Sequence, residues 1–323
     1  MDKNTDFIGV DISKDRFDTW GAGNKYHRFE NNEAGYEKFL LSIGKSSWVI
    51  MEATASYYQK LALYLYQNGV NVSVVNPLVI KRYIQMKLQH NKTDKADAKM
   101  IWKYATEQPL SRWVPEPAYI ENCKLIYTSI GLYNKNTTAL KNKLHSLESR
   151  GHTKGILVRS LKRQVNNLKK EIKVLEKQLE TIIKKHENKM LVNLSSIDGI
   201  GKKTAMLLII CTNGFRDFSN HRQLSAYFGL APVERSSGSS IKGVSRISKR
   251  GNPDVRNHLF LCSFTACHNN AQCSELYKRI VAKGKSKKLA LVAVCNKLLK
   301  QSFAIARSGI PYDKNYASTV PLV

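Results

Sequence analysis

The first 110 residues alternate short apolar runs with stretches of helical periodicity. Five strand-like runs are bounded by turn residues: 6–13, 16–20, 26–29, 47–53 and 70–75. Four stretches carry the apolar stripe of a helix: 32–43, 56–68, 77–88 and 94–104. The first three strands are spaced as an antiparallel meander, and helices separate the later ones. This order predicts a ribonuclease-H-like α/β domain, in which acids at strand ends converge on one edge of the sheet.

The pattern then changes to long helices. Three prolines mark the exit from the first domain: Pro109, Pro115 and Pro117. Further along, eight apolar residues recur at spacings that alternate between three and four, as in a heptad seam: Val158, Leu161, Val165, Leu168, Ile172, Leu175, Leu179 and Ile182. An earlier helix over 122–149 can fold back on this seam across Gly151 and Gly155. An intramolecular hairpin fits the seam, and so does a dimerising coiled coil whose basic flanks touch nucleic acid.

The remainder of the chain combines apolar helices with glycine-rich connections. Gly199 and Gly201 lie between apolar helices as in a helix-hairpin-helix, whose backbone N–H groups meet a DNA phosphate. Lys202 and Lys203 add charge there, although an ordinary helix connection fits the same pattern. The predicted domains are an α/β domain at 1–112, a helical coiled-coil arm at 113–192 and a mainly α domain at 193–323.

A Ser- and Gly-rich stretch at 233–252 follows a helix that ends at Gly229. Its composition fits a flexible linker. Five basic residues interrupt the stretch, however: Arg235, Lys242, Arg246, Lys249 and Arg250. Because the stretch offers N–H donors, hydroxyls and cations together, we interpret it as a phosphate-binding loop.

Lys and Arg outnumber Asp and Glu by 52 to 25, which gives a net charge of +27. An excess of this size favours a polyanionic partner, DNA or RNA, because phosphate neutralisation supplies affinity. An anionic membrane surface is the alternative, but no apolar run approaches about 18 residues and no signal-like segment is present. Six scattered cysteines predict reduced thiols and a location in the cytoplasm or nucleoid. A group of four potential zinc ligands matches no common finger and is interpreted as part of a buried helix: Cys262, Cys267, His268 and Cys273.

Four acids are the candidate catalytic groups of the first domain. Asp11 and Glu52 each end an apolar strand, and we expect these strands to be neighbours in the sheet. Asp94 and Asp97 lie three residues apart in the first turn of a helix. Acids at a helix start commonly complement the helix dipole. Together, however, the four acids supply the oxygen ligands that Mg²⁺ or Mn²⁺ prefers, and two such ions can hold the attacking and leaving oxygens of a phosphodiester.

These residues fall in recognisable motifs. The acids lie in three of them: Gly9-Val10-Asp11, Met51-Glu52-Ala53-Thr54 and Asn91 to Ala98. Two more belong to the basic loop: Gly229 to Gly238 and Arg246 to Gly251. The motifs resemble those of DEDD-type transposases of the insertion-sequence-110 family, whose relatives include the Piv-type DNA invertases.

The resemblance implies a RuvC-like first domain, with Asp11, Glu52, Asp94 and Asp97 as catalytic metal ligands, and a C-terminal transposase domain. It also implies a nucleophilic serine immediately before the first Gly of the loop. That residue is Ser237, although the neighbouring Ser236 leaves the choice of hydroxyl open.

A family member is expected to be a site-specific DNA recombinase of a mobile element, which cuts and rejoins donor and target DNA through a phosphoserine link. The resemblance further implies a homo-oligomer, a dimer or a tetramer in the synaptic complex, in which acids of one subunit meet Ser237 of another. It also implies a non-coding bridge RNA that selects the DNA sites. The alternatives are a Piv-like invertase, a junction-resolving nuclease that activates water and a non-enzymatic nucleic-acid scaffold. The candidate nucleic-acid-binding residues are Lys92, Lys202, Lys203, Arg235, Lys242, Arg246, Lys249 and Arg250.

Overall fold

A five-stranded mixed sheet forms the centre of the first unit of the protein. In a computed structural model, the chain divides into two compact units, residues 1–115 and residues 116–323. The structure describes residues 6–44, 46–89, 93–233, 236–237, 241–242 and 246–315. The boundary between the units falls at Pro115, within the predicted proline-rich exit from the first domain.

The strands of the sheet are β1 (Phe7–Ile12), β2 (Arg16–Trp20), β3 (Tyr26–Glu30), β4 (Trp48–Glu52) and β5 (Asn71–Val75). Their order is β3-β2-β1-β4-β5. The pairs β1–β2 and β2–β3 are antiparallel, whereas β1–β4 and β4–β5 are parallel. The predicted antiparallel meander and mixed α/β class are confirmed, and the strand order is consistent with a ribonuclease-H-like domain.

Helices cover both faces of this sheet. They are α1 (Glu33–Ser42), α2 (Tyr58–Gln67), α3 (Pro77–Met86) and α4 (Asp94–Glu107). Even-numbered residues of β1, such as Val10, pack in a core with Phe39 of α1 and Leu65 of α2. On the opposite face, Ile50 of β4 packs with Ile101 of α4. Side chains of a strand alternate between faces, so Asp11 lies on the α4 side of the sheet.

Helix α4 approaches β1 unusually closely at Gly9. A Cβ atom added to Gly9 would lie 2.3 Å from the backbone N of Trp102 and 2.4 Å from the carbonyl O of Ala98. Only a residue without a side chain therefore permits this contact, which sets the height of α4 above the sheet. The helix begins at Asp94, so the same contact fixes where its first turn lies relative to the end of β1.

The second unit begins with a helical hairpin of α5 (Ala118–Ser149) and α6 (Ile156–Ser195). Near the turn, Leu144 of α5 packs with Val158 and Val165 of α6. Farther from the turn, Ile126 and Leu179 belong to the large core of the unit. The heptad seam thus packs on α5 of the same chain, as expected for the intramolecular hairpin rather than for a dimerising coiled coil. Residues in its middle are only partly buried: Leu168, Ile172 and Leu175.

Helix α6 is kinked at Glu187, whose backbone leaves the helical region at φ −135° and ψ 31°. The Glu187 side chain is buried, and its Oε1 accepts a hydrogen bond from Arg216 Nη2 at 2.6 Å. The hydroxyl of Tyr119 donates to the same oxygen. Burying a carboxylate is costly unless it is paired, so Arg216 and Tyr119 hold this kink in place.

Five further helices complete the large core: α7 (Lys202–Cys211), α8 (His221–Tyr227), α9 (Pro253–Asn269), α10 (Ala271–Ala282) and α11 (Lys287–Ser308). By length and composition α11 could cross a membrane, but its residues Val294, Leu298 and Leu299 are fully buried in this core. The C-terminal half is helical, as predicted. The predicted boundary at residue 192 lies inside α6, and the separation of an arm from a C-terminal domain remains a prediction.

We predict that Gly9→Ala lowers the free energy of unfolding by about 1–3 kcal/mol, because the new methyl group overlaps the backbone of α4. Urea denaturation followed by circular dichroism measures this change. The matched control is Gly21→Ala, whose added Cβ would lie 3.9 Å from Ile8 Cγ1, an ordinary contact. Equal stability of the two variants would contradict the prediction, because it would show that α4 can shift to accommodate the methyl group without a measurable cost.

Candidate active site

The four predicted acids lie at one end of the sheet and at the start of α4. Residues Val10 and Met51 are register partners in the parallel pair β1–β4, so Asp11 and Glu52 follow side by side on neighbouring strands. Asp94 and Asp97 occupy the first turn of α4. Thr93 caps this helix, since its hydroxyl accepts a hydrogen bond from the backbone N of Ala96 at 3.1 Å.

The pKa of Asp11 shows that the other three carboxylates are close enough to influence it. Burial, followed by the charges of Asp97, Asp94, Glu52 and Asp18, raises the pKa of Asp11 from 3.8 to about 7. Burial disfavours the ionised form, and each neighbouring carboxylate opposes a further negative charge. The end of β1 is therefore a place where negative charge accumulates and where a cation would be stabilised.

Asp18 was not predicted from the sequence, although it belongs to this site. It lies directly opposite Asp11 in the antiparallel pair β1–β2 and is buried. Arg28 on β3 compensates it through an ion pair between Nε and Asp18 Oδ1 at 2.9 Å. The same guanidinium reaches Asp94, with Nη2 3.2 Å from Oδ2. The hydroxyl of Tyr26 also donates to Asp18.

The signal that could have found Asp18 is the hairpin register. Strands β1 and β2 are joined by a short turn in which the Ser13 N–H donates to the Arg16 carbonyl at 2.8 Å. Counting outward from such a turn pairs Asp11 with Asp18. An acid that faces another acid across two strands needs a nearby cation.

The donor set fits a hard divalent cation, because it consists of carboxylate oxygens around the half-buried Asp11. In the ranges that the structure describes, however, no three His, Cys, Asp or Glu side chains are placed as a metal-binding group. One member of the set, Asp94, instead pairs with Arg28.

The basic serine loop has a structured base. Strands β6 (Pro232–Val233) and β9 (Arg246–Ile247) pair antiparallel, and farther out β7 (Ser236–Ser237) pairs with β8 (Ile241–Lys242). Described parts of the stretch thus form a hairpin rather than a free linker. Ser237 lies opposite Ile241 in this ladder, and its side chain is outside the description.

Two glycines close the base of the hairpin. A Cβ on Gly229 would lie 2.1 Å from the carbonyl O of Arg250, and one on Gly251 would lie 1.9 Å from the carbonyl O of Tyr227. Both glycines have positive φ, 68° and 106°. Arg256 of α9 donates to the carbonyl oxygens of Phe228 and Gly251 at 3.0 and 3.1 Å. Backbone is therefore packed on backbone where the hairpin leaves the core.

The candidate nucleic-acid-binding residues fall into three groups. Arg246, Lys249 and Arg250 are exposed at the base of the hairpin. Lys202 and Lys203, at the start of α7, instead form ion pairs with glutamates of α6. Lys203 Nζ is 2.6 Å from Glu176 Oε1, and Lys202 pairs with Glu180. The others lie outside the described residues or side chains: Lys92, Arg235 and Lys242.

Comparison with known proteins assigns the family. A family model described as Transposase, for the DEDD type of IS110, matches residues 8–149. A second model, Transposase IS116/IS110/IS902 family, matches residues 192–278. The Pilin gene-inverting protein of Moraxella bovis is 30% identical over 95% of this chain and 98% of its own length. The chain belongs to the IS110 family of transposases.

Other relatives support the same assignment. The Pilin gene-inverting protein of Moraxella lacunata is 30% identical over 95% of this transposase and 98% of its own length. The Transposase for insertion sequence element IS1111A of Coxiella burnetii is 25% identical over 91% of this chain and 88% of its own length. The IS110-family chain is thus a DNA recombinase or transposase, with DNA as its substrate and a general dependence on divalent metal.

We predict that Asp11 makes the stability of this transposase pH-dependent in a defined direction. Its pKa is about 7 in the folded protein, against 3.8 without the surrounding structure. Its favourable contribution is complete below about pH 4 and is lost as the pH rises through 7. Relative to wild type, Asp11→Asn should therefore gain stability between pH 4 and pH 8, by on the order of 3 kcal/mol.

Urea unfolding at several pH values, in a chelator so that no metal binds, measures this gain. Asp15→Asn is the control, because Asp15 is exposed in the turn after β1. The prediction is wrong when both variants keep the same difference from wild type at every pH.

Proposed function

We propose that this chain is a site-specific recombinase that cuts DNA by transesterification, with Asp11, Glu52, Asp94 and Asp97 holding divalent cations and Ser237 as the nucleophile. The observation that carries the proposal is the placement of the acids, with Asp11 and Glu52 at the ends of neighbouring strands and Asp94 and Asp97 in the first turn of α4, where their charges raise the pKa of Asp11. A carboxyl group surrounded by other negative charges ionises fully at neutral pH only when a positive charge binds close to it. Mg²⁺ or Mn²⁺ would supply that charge, because both prefer oxygen ligands.

The bound cations would stabilise negative charge on the scissile phosphate. In the proposed step, the hydroxyl oxygen of Ser237 forms a bond to phosphorus, and one phosphorus–oxygen bond of the DNA strand breaks. The serine proton is lost and the departing DNA oxygen gains a proton, leaving a phosphoserine and a free hydroxyl end. At the hairpin base, the exposed cations Arg246, Lys249 and Arg250 are available to a phosphate.

The covalent step has a direct test. On plasmids that carry the ends of the element, wild type should form a protein–DNA adduct that survives denaturing electrophoresis. Ser237→Ala should abolish the adduct, whereas Ser236→Ala should retain it. The opposite result would identify Ser236 as the nucleophile. Cleavage without any adduct would favour the junction-resolving nuclease, in which water attacks.

The acids are tested in the same assay. Asp11→Asn and Asp97→Asn should lower strand exchange roughly a hundredfold or more, because each removes charge that the transition state needs. Their DNA affinity, measured by gel shift, should remain close to that of wild type. Unchanged strand exchange in both variants would support a scaffold without enzymatic function.

Inversion of a DNA segment is a second candidate function. It is favoured by the two Moraxella relatives, which are named gene-inverting proteins and match over 98% of their length. The chemistry would be the same, and only the arrangement of the sites would differ. Plasmids with inverted sites and plasmids with separate donor and target sites distinguish inversion from transposition.

We propose further that a bridge RNA selects the donor and target sites and that the helical arm at 113–192 assembles a homo-oligomer in the cytoplasm or nucleoid. The charge of +27 exceeds what solubility requires and suits two nucleic acids. Recombination between plasmids should require the non-coding transcript adjacent to the element. Equal recombination with and without that transcript would contradict guidance.

A further inference from the structure

We propose that Lys95 and Lys99, held against Trp20 and Tyr26, form a phosphate-binding site in addition to the basic serine loop. This site binds the DNA strand beside the acid cluster. The inference rests on the proposed function only in taking DNA as the bound strand. Chemistry at Ser237 is not needed for it.

The two lysines are fixed by aromatic rings. Lys95 Nζ lies 5.1 Å from the ring centroid of Tyr26 and 5.7 Å from that of Trp20. Lys99 Nζ lies 4.8 Å from the Trp20 centroid. A cation over an aromatic face is attracted to it, and this attraction restricts a side chain that is otherwise flexible. The ammonium groups are therefore pre-positioned, which lowers the entropy lost when a phosphate binds.

The position of this pair follows from the sheet register. One row of residues across the α4 side contains Arg28, Asp18 and Asp11, and the next row contains Tyr26, Trp20 and Gly9. The rows are two strand residues apart, roughly 6.8 Å. The aromatic row thus lies one short step along the sheet from the acids, a distance that a DNA backbone crossing the site can span.

The Gly9 contact brings the lysines to that row. Gly9 is the register partner of Trp20, and α4 rests its backbone on Gly9 at Ala98 and Trp102. Lys95 and Lys99 are one helical turn apart on α4, so Lys95 reaches over β2 and β3 and Lys99 over β2. Asp94 and Asp97 belong to the first turn of the same helix, and Asp94 pairs with Arg28 on β3. The start of α4 therefore carries the acids and these cations close together.

The charge of these lysines is available to a ligand. Among the described residues of this unit, the ion pairs are those of Arg28 with Asp18 and Asp94, and of Lys87 with Glu107. Arg28 thus already pairs with carboxylates, whereas neither Lys95 nor Lys99 takes part in any of these ion pairs. Lys95 is exposed and Lys99 is half-buried. A phosphate at this place would find two ammonium groups without displacing a carboxylate partner.

The salt dependence of DNA binding tests the proposal. Fluorescence anisotropy of a labelled duplex carrying the element end is measured in chelator over a range of NaCl concentrations. Lys95→Gln and Lys99→Gln should each reduce the slope of log affinity against log salt by about 1, as expected for the loss of one phosphate contact. Arginine at either position should restore the slope. Lys38→Gln on α1, at the opposite face of the sheet, is the control.

A purely structural role for the lysines predicts a different result. In that case, Lys95→Gln and Lys99→Gln would lower the melting temperature but leave the salt slope equal to that of Lys38→Gln. This result would overturn the proposal. Should the glutamine variants not fold, amine-reactive footprinting of wild type gives the answer. Bound DNA should protect Lys95 and Lys99 severalfold more than Lys38, and equal labelling would overturn the assignment. Because both measurements use uncleaved DNA, loss of the Ser237 adduct would leave them unaffected.

Discussion

The backbone contact between α4 and Gly9 is the constraint on which the first unit depends. A strand and a helix normally pack through side chains, which keep their axes well apart. Here the absence of one side chain lets the helix settle onto the strand, with Ala98 and Trp102 against Gly9. The first turn of α4 consequently lies close to the end of β1. The charge of Asp94, more than 80 residues away in sequence, then raises the free energy of the ionised form of Asp11.

The protein limits this repulsion without removing it. Arg28 lies between a buried carboxylate, Asp18, and an exposed one, Asp94, and so balances part of the negative charge from the side of β3. The pKa of Asp11 nevertheless stays near 7. Such residual electrostatic strain is common where a site is organised for a charged ligand rather than for stability.

Much of the fold was predictable because its signals are local. Strand ends, the helix start at Asp94 and the glycines of the arm turn are each read from a few neighbouring residues, and they identified Asp11 and Glu52 as neighbours. Asp18 was missed because its importance depends on the residue it faces across the hairpin, not on its own surroundings in sequence. The pairing of Lys203 with Glu176 was missed for the same reason. Local pattern predicted the elements, whereas pairing between elements decided which charges are compensated.

The kink in α6 has a mechanical consequence. From Glu187 back to Ile156 the helix runs for roughly 46 Å at 1.5 Å per residue, so a rigid rotation about the buried carboxylate would make this segment the long arm of a lever. The short end of the lever leads through Ser195 directly into the turn before α7. A rotation of about 5° at the fulcrum would move the far tip by roughly 4 Å and the near end by only about 1 Å. In such a rotation, a force applied at the tip would reach the start of α7 as a larger force acting over a smaller displacement.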